Sequence, residues 1–304
     1  MRIVLPPTNP DLDGVACAVA YAELLTRVGV SALPWYCGAL DAETSYVITR
    51  SDAPVFANND EMLQGTDAVY VDASDTKLLP HEIESRLVVE VIDHHFPHRA
   101  AADFPNATID VQPVGAAATL VVERFRARAL VPSQMSSVLL YCAIFSNTQD
   151  LKGSITTPRD LDATQWLVGS SNIPDGIVAG QFAARRSDIL RDLASAIGRE
   201  SKVYEDALGA FTLAQLEFPG AEAVMSECSP LLFENTRVLG VRAALNMVDV
   251  SGGRSFLLVP NGEFRGQLSR ACGLLFDGAI AAAQPIMLRK QIVAALSGYR
   301  WPTT

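Results

Sequence analysis

The residues best suited to chemistry lie together near position 94, where a mostly apolar run from Leu87 to Ile92 ends in Asp93-His94-His95. The chain has only four histidines, and those at 94, 95 and 98 all fall in this stretch. An acid and two imidazoles at the carboxyl end of a buried strand are typical of metal ligands or of a catalytic base in α/β proteins. A polar strand end in a solvated loop is the alternative interpretation.

Further acids follow two other predicted strands. Asp72 comes directly after a short apolar strand pattern, and Asp11 and Asp13 lie between a strand at Arg2–Leu5 and a helical pattern that starts at Val15. Because the carboxyl ends of parallel strands meet at one edge of a sheet, we expect these acids to crowd together with the histidines. Carboxylates crowd in this way only with cations present or with large pKa shifts. A helix N-cap accounts for one of the acids at 11 and 13 but not for both, so the pattern favours a metal site.

A turn of small residues precedes the helix that is predicted to run to about Arg128. It reads Pro113-Val114-Gly115-Ala116-Ala117-Ala118-Thr119. Small side chains would let backbone N–H groups approach an anion at a helix N-terminus. Tight packing of the turn explains the same composition equally well.

Composition limits the class of protein. The 304 residues suit two domains, and the net charge of −10 argues against a protein that binds nucleic-acid duplexes. The five cysteines are scattered without Cys-x-x-Cys spacing, which predicts free thiols in a reducing compartment. With no apolar run of about eighteen residues and no long apolar N-terminal segment, we expect a cytoplasmic protein that does not enter a membrane.

The order of elements predicts an α/β protein with two domains. A mainly parallel sheet flanked by helices is expected for 1–186, and a smaller α/β domain for 194–304, joined by a helical linker. The linker is predicted as two helices, separated by the polar stretch Arg185-Arg186-Ser187-Asp188. Strands are predicted near 211–216, 237–247 and 256–260 of the second domain.

The motifs resemble those of the DHH phosphoesterase superfamily in order and spacing. They are Asn9-Pro10-Asp11-Leu12-Asp13, Val71-Asp72, Asp93-His94-His95, Gly115 with Thr119, Ser146-Asn147-Thr148, and Thr157-x-x-Asp160. The second region resembles the C-terminal domain of family II, manganese-dependent inorganic pyrophosphatases, through Lys202 and the basic stretch Leu288-Arg289-Lys290-Gln291. Exopolyphosphatases and prune proteins have the same two-domain layout.

The resemblance implies a metal-dependent phosphohydrolase that acts on pyrophosphate, short polyphosphate or a nucleotide. Two cations would activate a water molecule for in-line attack, with Mn²⁺ expected and Mg²⁺ or Co²⁺ as alternatives. The implied metal ligands are Asp11, Asp13, Asp72 as the bridge, His94 and Asn147. The implied substrate contacts are His95, Gly115, Lys202, Arg289 and Lys290. His95, Asp72, Lys202 and Arg289 would carry the catalysis, and Asp93 would orient the histidines. The family's pairing through edge strands also allows a homodimer.

The chain departs from the family pattern at three positions. Pro7 stands where the pyrophosphatases have a histidine ligand, and Asn147 stands where they have an aspartate. In the basic stretch, Leu288 replaces an arginine, which removes one expected phosphate-binding cation. These changes leave three interpretations: a phosphohydrolase of altered specificity, a true pyrophosphatase or short-chain exopolyphosphatase, or a binding or regulatory protein that kept the fold and lost the chemistry.

Overall fold

Short apolar strands alternate with helices in the first half of the chain, and a computed structural model shows the sheet that this alternation predicts. The structure describes residues 1–53, 65–96 and 98–298. They divide into two units, the first made of Met1–Leu151 and Ile155–Gln181, and the second of Lys152–Ser154 and the chain from Phe182 onward. Pro97 and the last residues of the predicted second domain, 299–304, lie outside the described residues. The domain limits 1–186 and 194–304 stay a prediction.

The elements of the first unit alternate regularly along the chain. They are β1 (Arg2–Leu5), α1 (Leu12–Arg27), β2 (Ala32–Pro34), α2 (Ala42–Ser51), β3 (Asp67–Val71), β4 (Val88–Asp93), α3 (Ala100–Asp103), β5 (Thr108–Val111), α4 (Ala117–Ala127), α5 (Gln134–Asn147) and α6 (Pro158–Ser170). Thr157 caps α6 with Pro158 at its first position, as the sequence predicts.

The five strands of the first unit form a parallel sheet in the order β2–β1–β3–β4–β5. Leu5 pairs with Tyr70, Val71 with Ile92, and Asp93 with Val111, so the carboxyl ends of four strands are level. The most apolar strands, β3 and β4, are interior, because an edge strand would expose their side chains. This register brings the segments after β1, β3 and β4 to one rim of the sheet.

Helix α1 lies in the centre of the first core. Its residues from Leu12 to Ala22 are all buried, which is typical of a helix covered on every side. Small alanines at 16, 18 and 20 let neighbouring helices approach closely, and α1 packs against α4 and α5. The first turn of α1 is therefore fixed from several directions.

Helix α7 (Ile177–Arg191) is continuous, so the predicted break at Arg185–Asp188 is wrong. The stretch Arg185–Asp188 contains neither glycine nor proline, and its arginine side chains form polar contacts while the backbone stays helical. Arg185 pairs with Glu217 at 3.1 Å, and Arg186 donates to the Pro219 carbonyl. The helix ends at Arg191, and Asp192 caps the next one.

The second unit contains a six-stranded mixed sheet. Its elements are α8 (Leu193–Arg199), β6 (Ser201–Asp206), β7 (Gly209–Phe218), α9 (Ala221–Glu227), α10 (Ser229–Arg237), β8 (Ala243–Asp249), β9 (Arg254–Leu258), α11 (Gly262–Cys272), β10 (Phe276–Asp277), β11 (Ile280–Ala283) and α12 (Arg289–Leu296).

The strand order in this sheet is β10–β11–β9–β8–β7–β6, and β7–β8 is its parallel pair. Alternate residues of β7 face two cores: Ala214 and Leu216 pack with α8 to α10, and Phe211 and Leu213 pack with α11 and α12. The predicted α/β class is thereby confirmed for both units. Among the described residues, no helix combines the length and the apolar character needed to cross a bilayer.

Candidate metal centre

Asp72 stands at the rim of the first sheet, one residue beyond β3. Its backbone has φ 60, in the left-handed region, and its N–H donates to the Ile92 carbonyl at 2.8 Å. Aspartate and asparagine adopt this conformation more readily than most residues, and such strain clusters at functional sites. The turn buries the Asp72 side chain at the carboxyl end of the sheet.

His94 faces two acids across this rim. Its Nδ1 lies 3.0 Å from the Val114 carbonyl oxygen, an acceptor, so Nδ1 carries the proton. In the neutral ring, Nε2 then presents its lone pair, 3.5 Å from Asp72 Oδ1 and 3.9 Å from Asp13 Oδ2. A histidine held through one nitrogen by a carbonyl, with the other directed at carboxylates, has the tautomer that a metal ligand needs.

Asp13 lies in the first turn of α1 and has no exposed surface. Its carboxylate accepts hydrogen bonds from the backbone N–H groups of Ala117 (2.8 Å) and Ala118 (2.9 Å), which are the first two residues of α4. The thiol of Cys17, one helical turn along α1, lies 3.5 Å from Asp13 Oδ1. Burial, and then the charge of Asp11, raise the pKa of Asp13 to about 7.

The same crowding affects Asp72. Burial raises the pKa of Asp72 well above its usual value, and the charges of Asp13 and Asp11 add to the effect. Asp72 Oδ1 is buried and accepts no hydrogen bond from the described residues. Two buried carboxylates and an imidazole nitrogen that converge on one point fit a divalent cation, which would replace the missing hydrogen bond and balance the charge.

His95 and Asp93 form a second pair beside the first. Asp93 Oδ1 accepts from the His95 ring at Nδ1 (2.8 Å) and from the backbone N–H groups of His94 (2.7 Å) and His95 (3.2 Å). Burial opposes the ionisation of Asp93, but the His95 charge and hydrogen bond outweigh it and lower the pKa of Asp93. Asp93 therefore orients the His95 ring, while the Val114 carbonyl orients that of His94. The His95 side chain is 53% exposed, and one ligand atom from each of Asp72, His94 and His95 lies within 4.8 Å of the others.

Asp11 takes the N-cap position of α1, as one interpretation of the sequence expected. Its Oδ1 accepts from the N–H groups of Asp13 (3.0 Å) and Gly14 (3.3 Å), and the side chain is otherwise exposed. A Cβ at Gly14 would lie 2.8 Å from Pro6 Cβ and 3.4 Å from Asp72 Oδ2. The contact with Pro6 is too short for a side chain, so glycine at this position lets α1 begin directly against the segment that follows β1.

Asn147 enters the centre as a hydrogen-bond donor. It is the last residue of α5, and its amide nitrogen lies 2.6 Å from Asp13 Oδ2. The sequence-based expectation was a neutral oxygen ligand for a metal ion, whereas here the NH₂ group faces the acid. A metal-ligand role for Asn147 stays a prediction.

The turn before α4 uses its N–H groups within the fold. Gly115 N–H points at the carboxylate of Asp160, 2.9 and 3.1 Å from its oxygens, and the N–H groups at 117 and 118 bond Asp13. The anion expected at this turn is thus supplied by two side chains of the protein itself. A substrate contact by the Gly115 N–H would require that bond to Asp160 to be given up.

Two of the three predicted basic residues of the second unit, Arg289 and Lys202, lie near Glu200. Arg289 begins α12, where its N–H bonds Gln215 Oε1 and its guanidinium donates to the Glu200 carbonyl at 2.6 Å. Lys202 is exposed on the edge strand β6, and Lys290 follows Arg289 in the helix. Burial raises the pKa of the Glu200 side chain, while the charges of Arg289 and Lys202 oppose that shift.

The sequence did not reveal the groups that contact the metal-ligand candidates from within the fold, namely the Cys17 thiol, the Val114 carbonyl and the N–H groups of residues 117 and 118. Cys17 had a recognisable signal, because a residue four positions after Asp13 lies on the same face of a helix. The Val114 carbonyl and the N–H groups at 117 and 118 are backbone atoms, for which side-chain types give no signal. These contacts arise only when α4 packs against α1.

The comparison with protein families matches residues 3–144 to the model described as the DHH family, N-terminal domain. Residues 3–144, somewhat less than half of the chain, are similar to that domain. The matched region contains Asp11, Asp13, Asp72, His94 and His95, and the match confirms the resemblance inferred from the motifs.

Curated relatives extend the likeness beyond the DHH domain. A protein of Clostridium acetobutylicum named a probable manganese-dependent inorganic pyrophosphatase is 21% identical over 296 residues, which cover 95% of this chain and 94% of the relative. A protein of Deinococcus radiodurans with the same name is 29% identical over 189 residues, which cover 61% of this chain and 59% of the relative. The second match therefore spans somewhat more than half of each protein.

Two solved structures share the fold. A candidate family II inorganic pyrophosphatase of Methanococcus jannaschii superposes with a TM-score of 0.70 at 21% identity, covering 98% of this chain and 99% of its own. An exopolyphosphatase-related protein of Bacteroides fragilis gives a TM-score of 0.52 at 12% identity, covering 97% and 89%. At these identities the likeness concerns the fold alone.

Proposed function

We propose that this chain is a metal-dependent phosphohydrolase that acts on a small phosphoanhydride or phosphoester, with pyrophosphate, short polyphosphate or a nucleotide as substrate. The observation that carries the proposal is the approach of His94 Nε2 to the buried Asp72 Oδ1, an oxygen without a hydrogen bond from the described residues. The names of the curated relatives, manganese-dependent pyrophosphatases, support the same chemistry.

The donor set suits Mn²⁺, with Mg²⁺ and Co²⁺ as alternatives, since carboxylate oxygens and an imidazole nitrogen are ligands that these ions accept. Asp72 and His94 would hold the cation, with Asp13 and Asp11 as further oxygen donors and Asp72 as the bridge if two ions bind. A bound divalent cation would supply a water of lowered pKa and would neutralise charge on the phosphoryl group.

The remaining side chains would bind and orient the substrate. His95 projects a half-exposed ring whose orientation is fixed by Asp93, so its Nε2 would contact a phosphoryl oxygen or the leaving group. Lys202, Arg289 and Lys290 are proposed to neutralise substrate charge, as electrostatic stabilisation of phosphoryl transfer requires.

A second candidate is a binding or regulatory protein with this fold. Asn147 favours it, because the amide hydrogen-bonds Asp13 where a further carboxylate would bind a cation with charge. Pro7 adds to this reading, since its side chain contains no ligand atom.

Phosphate release separates the two candidates. The purified chain is incubated with pyrophosphate, tripolyphosphate or nucleotide esters in the presence of Mn²⁺, Mg²⁺ or Co²⁺, beside Asp72→Asn and the control Asp162→Asn. Asp162 lies on the surface, 61% exposed and paired with Arg126. We expect hydrolysis by the unaltered chain and the control, and none by Asp72→Asn. Background release with all three ions would refute the hydrolase and leave the binding protein.

A further inference from the structure

Asp160 is a fully buried acid that the proposed chemistry does not use. It lies at the third position of α6, and its carboxylate is surrounded by donors from two segments of the chain. These donors are Gly115 N–H (2.9 and 3.1 Å to its two oxygens), Thr119 Oγ1 (2.6 Å), Thr157 N–H (2.7 Å) and Thr157 Oγ1 (2.8 Å). The bond from Thr157 N–H to the Asp160 carboxylate and the bond from Asp160 N–H to Thr157 Oγ1 (3.4 Å) form an ordinary capping box, which needs no contact with Gly115.

The bond to Gly115 fixes the turn that serves the metal centre. One residue before Gly115, the Val114 carbonyl accepts the Nδ1 proton of His94. Two and three residues after it, the N–H groups of Ala117 and Ala118 hold the Asp13 carboxylate. The orientations of a proposed nitrogen ligand and a proposed oxygen ligand therefore both depend on where residues 114–118 lie.

The turn at Gly115 packs tightly against the Asp160 carboxylate. A Cβ on Gly115 would lie 2.7 Å from Asp160 Oδ2 and 2.5 Å from Thr148 Cγ2, so the backbone sits directly against the carboxylate. Thr119, the third residue of α4, donates from its hydroxyl to the same carboxylate. Asp160 thus satisfies the N–H group of Gly115, which lies two residues before α4 begins.

We propose that Asp160 is a positioning residue of the metal centre: by anchoring Gly115 it fixes the Val114 carbonyl, and hence the tautomer of His94, and it aims the N–H groups of residues 117 and 118 at Asp13. The proposal rests on the proposed function, since it assumes that the centre binds a divalent cation. Groups that orient metal ligands in this way typically change metal affinity 10–100-fold when they are altered.

The test uses the full-length chain and three substitutions. Asp160→Asn removes the charge and leaves an NH₂ group among donors. Thr157→Val removes the cap hydroxyl but keeps the bond between Asp160 and Gly115. Asp249→Asn is the matched control in the second unit, where a buried carboxylate likewise accepts bonds from Gly220 N–H, Gly252 N–H and Ser251 Oγ.

Two readouts separate positioning from a purely structural role. The first is Mn²⁺ affinity, measured by the electron paramagnetic resonance signal of free Mn²⁺. We expect Asp160→Asn to weaken it about 10–100-fold, and Thr157→Val and Asp249→Asn to stay within about twofold while losing thermal stability. The second is the ¹⁵N resonance pattern of His94 in metal-free protein, which should show an Nδ1–H ring in the unaltered chain and a tautomer mixture in Asp160→Asn.

The outcomes are distinct. An unaltered chain that does not bind Mn²⁺ would overturn the proposed function and this inference with it. Normal binding by the unaltered chain, together with unchanged affinity and tautomer in Asp160→Asn, would overturn the inference alone. If Asp160→Asn does not fold, Gly115→Ala tests the same contact, because its Cβ would lie 2.7 Å from Asp160 Oδ2 and push the turn away from the carboxylate. Unchanged Mn²⁺ affinity and His94 tautomer in that variant would overturn the inference equally.

Discussion

Replacing Asp72 by Asn should make the metal-free protein more stable and the manganese-loaded protein less stable than the unaltered chain. Asp72 Oδ1 and Asp13 Oδ2 lie 3.5 and 3.9 Å from the same His94 nitrogen, so the two oxygens are at most about 7.4 Å apart. When both carboxylates are ionised, two unit charges at that distance repel by at least about 2 kcal/mol at an effective dielectric constant of about 20, and this repulsion adds to burial in raising the pKa of Asp72. Asparagine removes this repulsion and adopts the left-handed backbone of residue 72 readily.

Bound Mn²⁺ should reverse this order of stability, so that the unaltered chain becomes more stable than Asp72→Asn. A ligand present at about one hundred times its dissociation constant stabilises the folded state by about 2.7 kcal/mol, and Asp72→Asn should lose that gain with its ligand oxygen. Each kcal/mol corresponds to about 2–4 °C in melting temperature for a chain of about this size. The variant should therefore melt several degrees above the unaltered chain in chelator at pH 8, and below it in Mn²⁺.

Thermal unfolding followed by circular dichroism measures both effects, with Asp162→Asn as the surface control. A metal-free Asp72→Asn that is less stable than the unaltered chain would mean that a His94 imidazolium, rather than a metal ion, balances the two acids. Full stabilisation of the variant by Mn²⁺ would show that the ion binds elsewhere. Either result would refute the reasoning.

Asn147→Asp replaces the amide that donates to Asp13 at 2.6 Å by a second acid. The variant should lower the stability of the metal-free protein by about 1–3 kcal/mol and tighten Mn²⁺ binding measured by calorimetry. Unchanged Mn²⁺ affinity would show that this position does not face the ion. Asp249→Asn should cost about 1–3 kcal/mol at pH 7 in denaturant titrations. Burial alone would raise the pKa of Asp249, but its hydrogen bonds, from Ser251 foremost, lower the pKa. The contribution of Asp249 to stability is therefore full above about pH 4 and is lost as the pH falls through the pKa of the folded state. A stability deficit of the variant that stays constant to lower pH would contradict this role of Asp249. Arg289→Ala should raise KM for pyrophosphate about 10–100-fold, since a charged hydrogen bond is worth about 1.5–3 kcal/mol, and should leave Mn²⁺ affinity unchanged. A rise in KM that is accompanied by an equal loss of Mn²⁺ affinity would argue against a substrate contact.

The sheet and its functional rim could be predicted because their signals are local. β1 has the predicted limits, Arg2–Leu5, and the two most apolar strands are interior. Acids that follow apolar strands directly, such as Asp72 and Asp93, must lie at the carboxyl rim once the sheet is parallel. The DHH-type spacing then indicated which of these acids to group with His94.

The remaining features depend on tertiary contacts that no local pattern contains. The capping box of Thr157 and Asp160 is visible in the sequence, but the bond from Asp160 to Gly115 spans 45 residues. The continuity of α7 does not follow from the sequence pattern, because polar side chains alone do not end a helix; α7 ends further along, where Asp192 caps α8. In the second unit, β6 is an edge strand of half-buried and exposed residues, and its largely polar composition gives no strand signal.

Anomalous diffraction from crystals grown with Mn²⁺ tests the central claim most directly. We predict a manganese peak within bonding distance of Asp72 and His94, on the side of His94 away from the Val114 carbonyl. A peak confined to other acids, or Asp72 and His94 in their present positions without any peak in crystals that contain Mn²⁺, would contradict it.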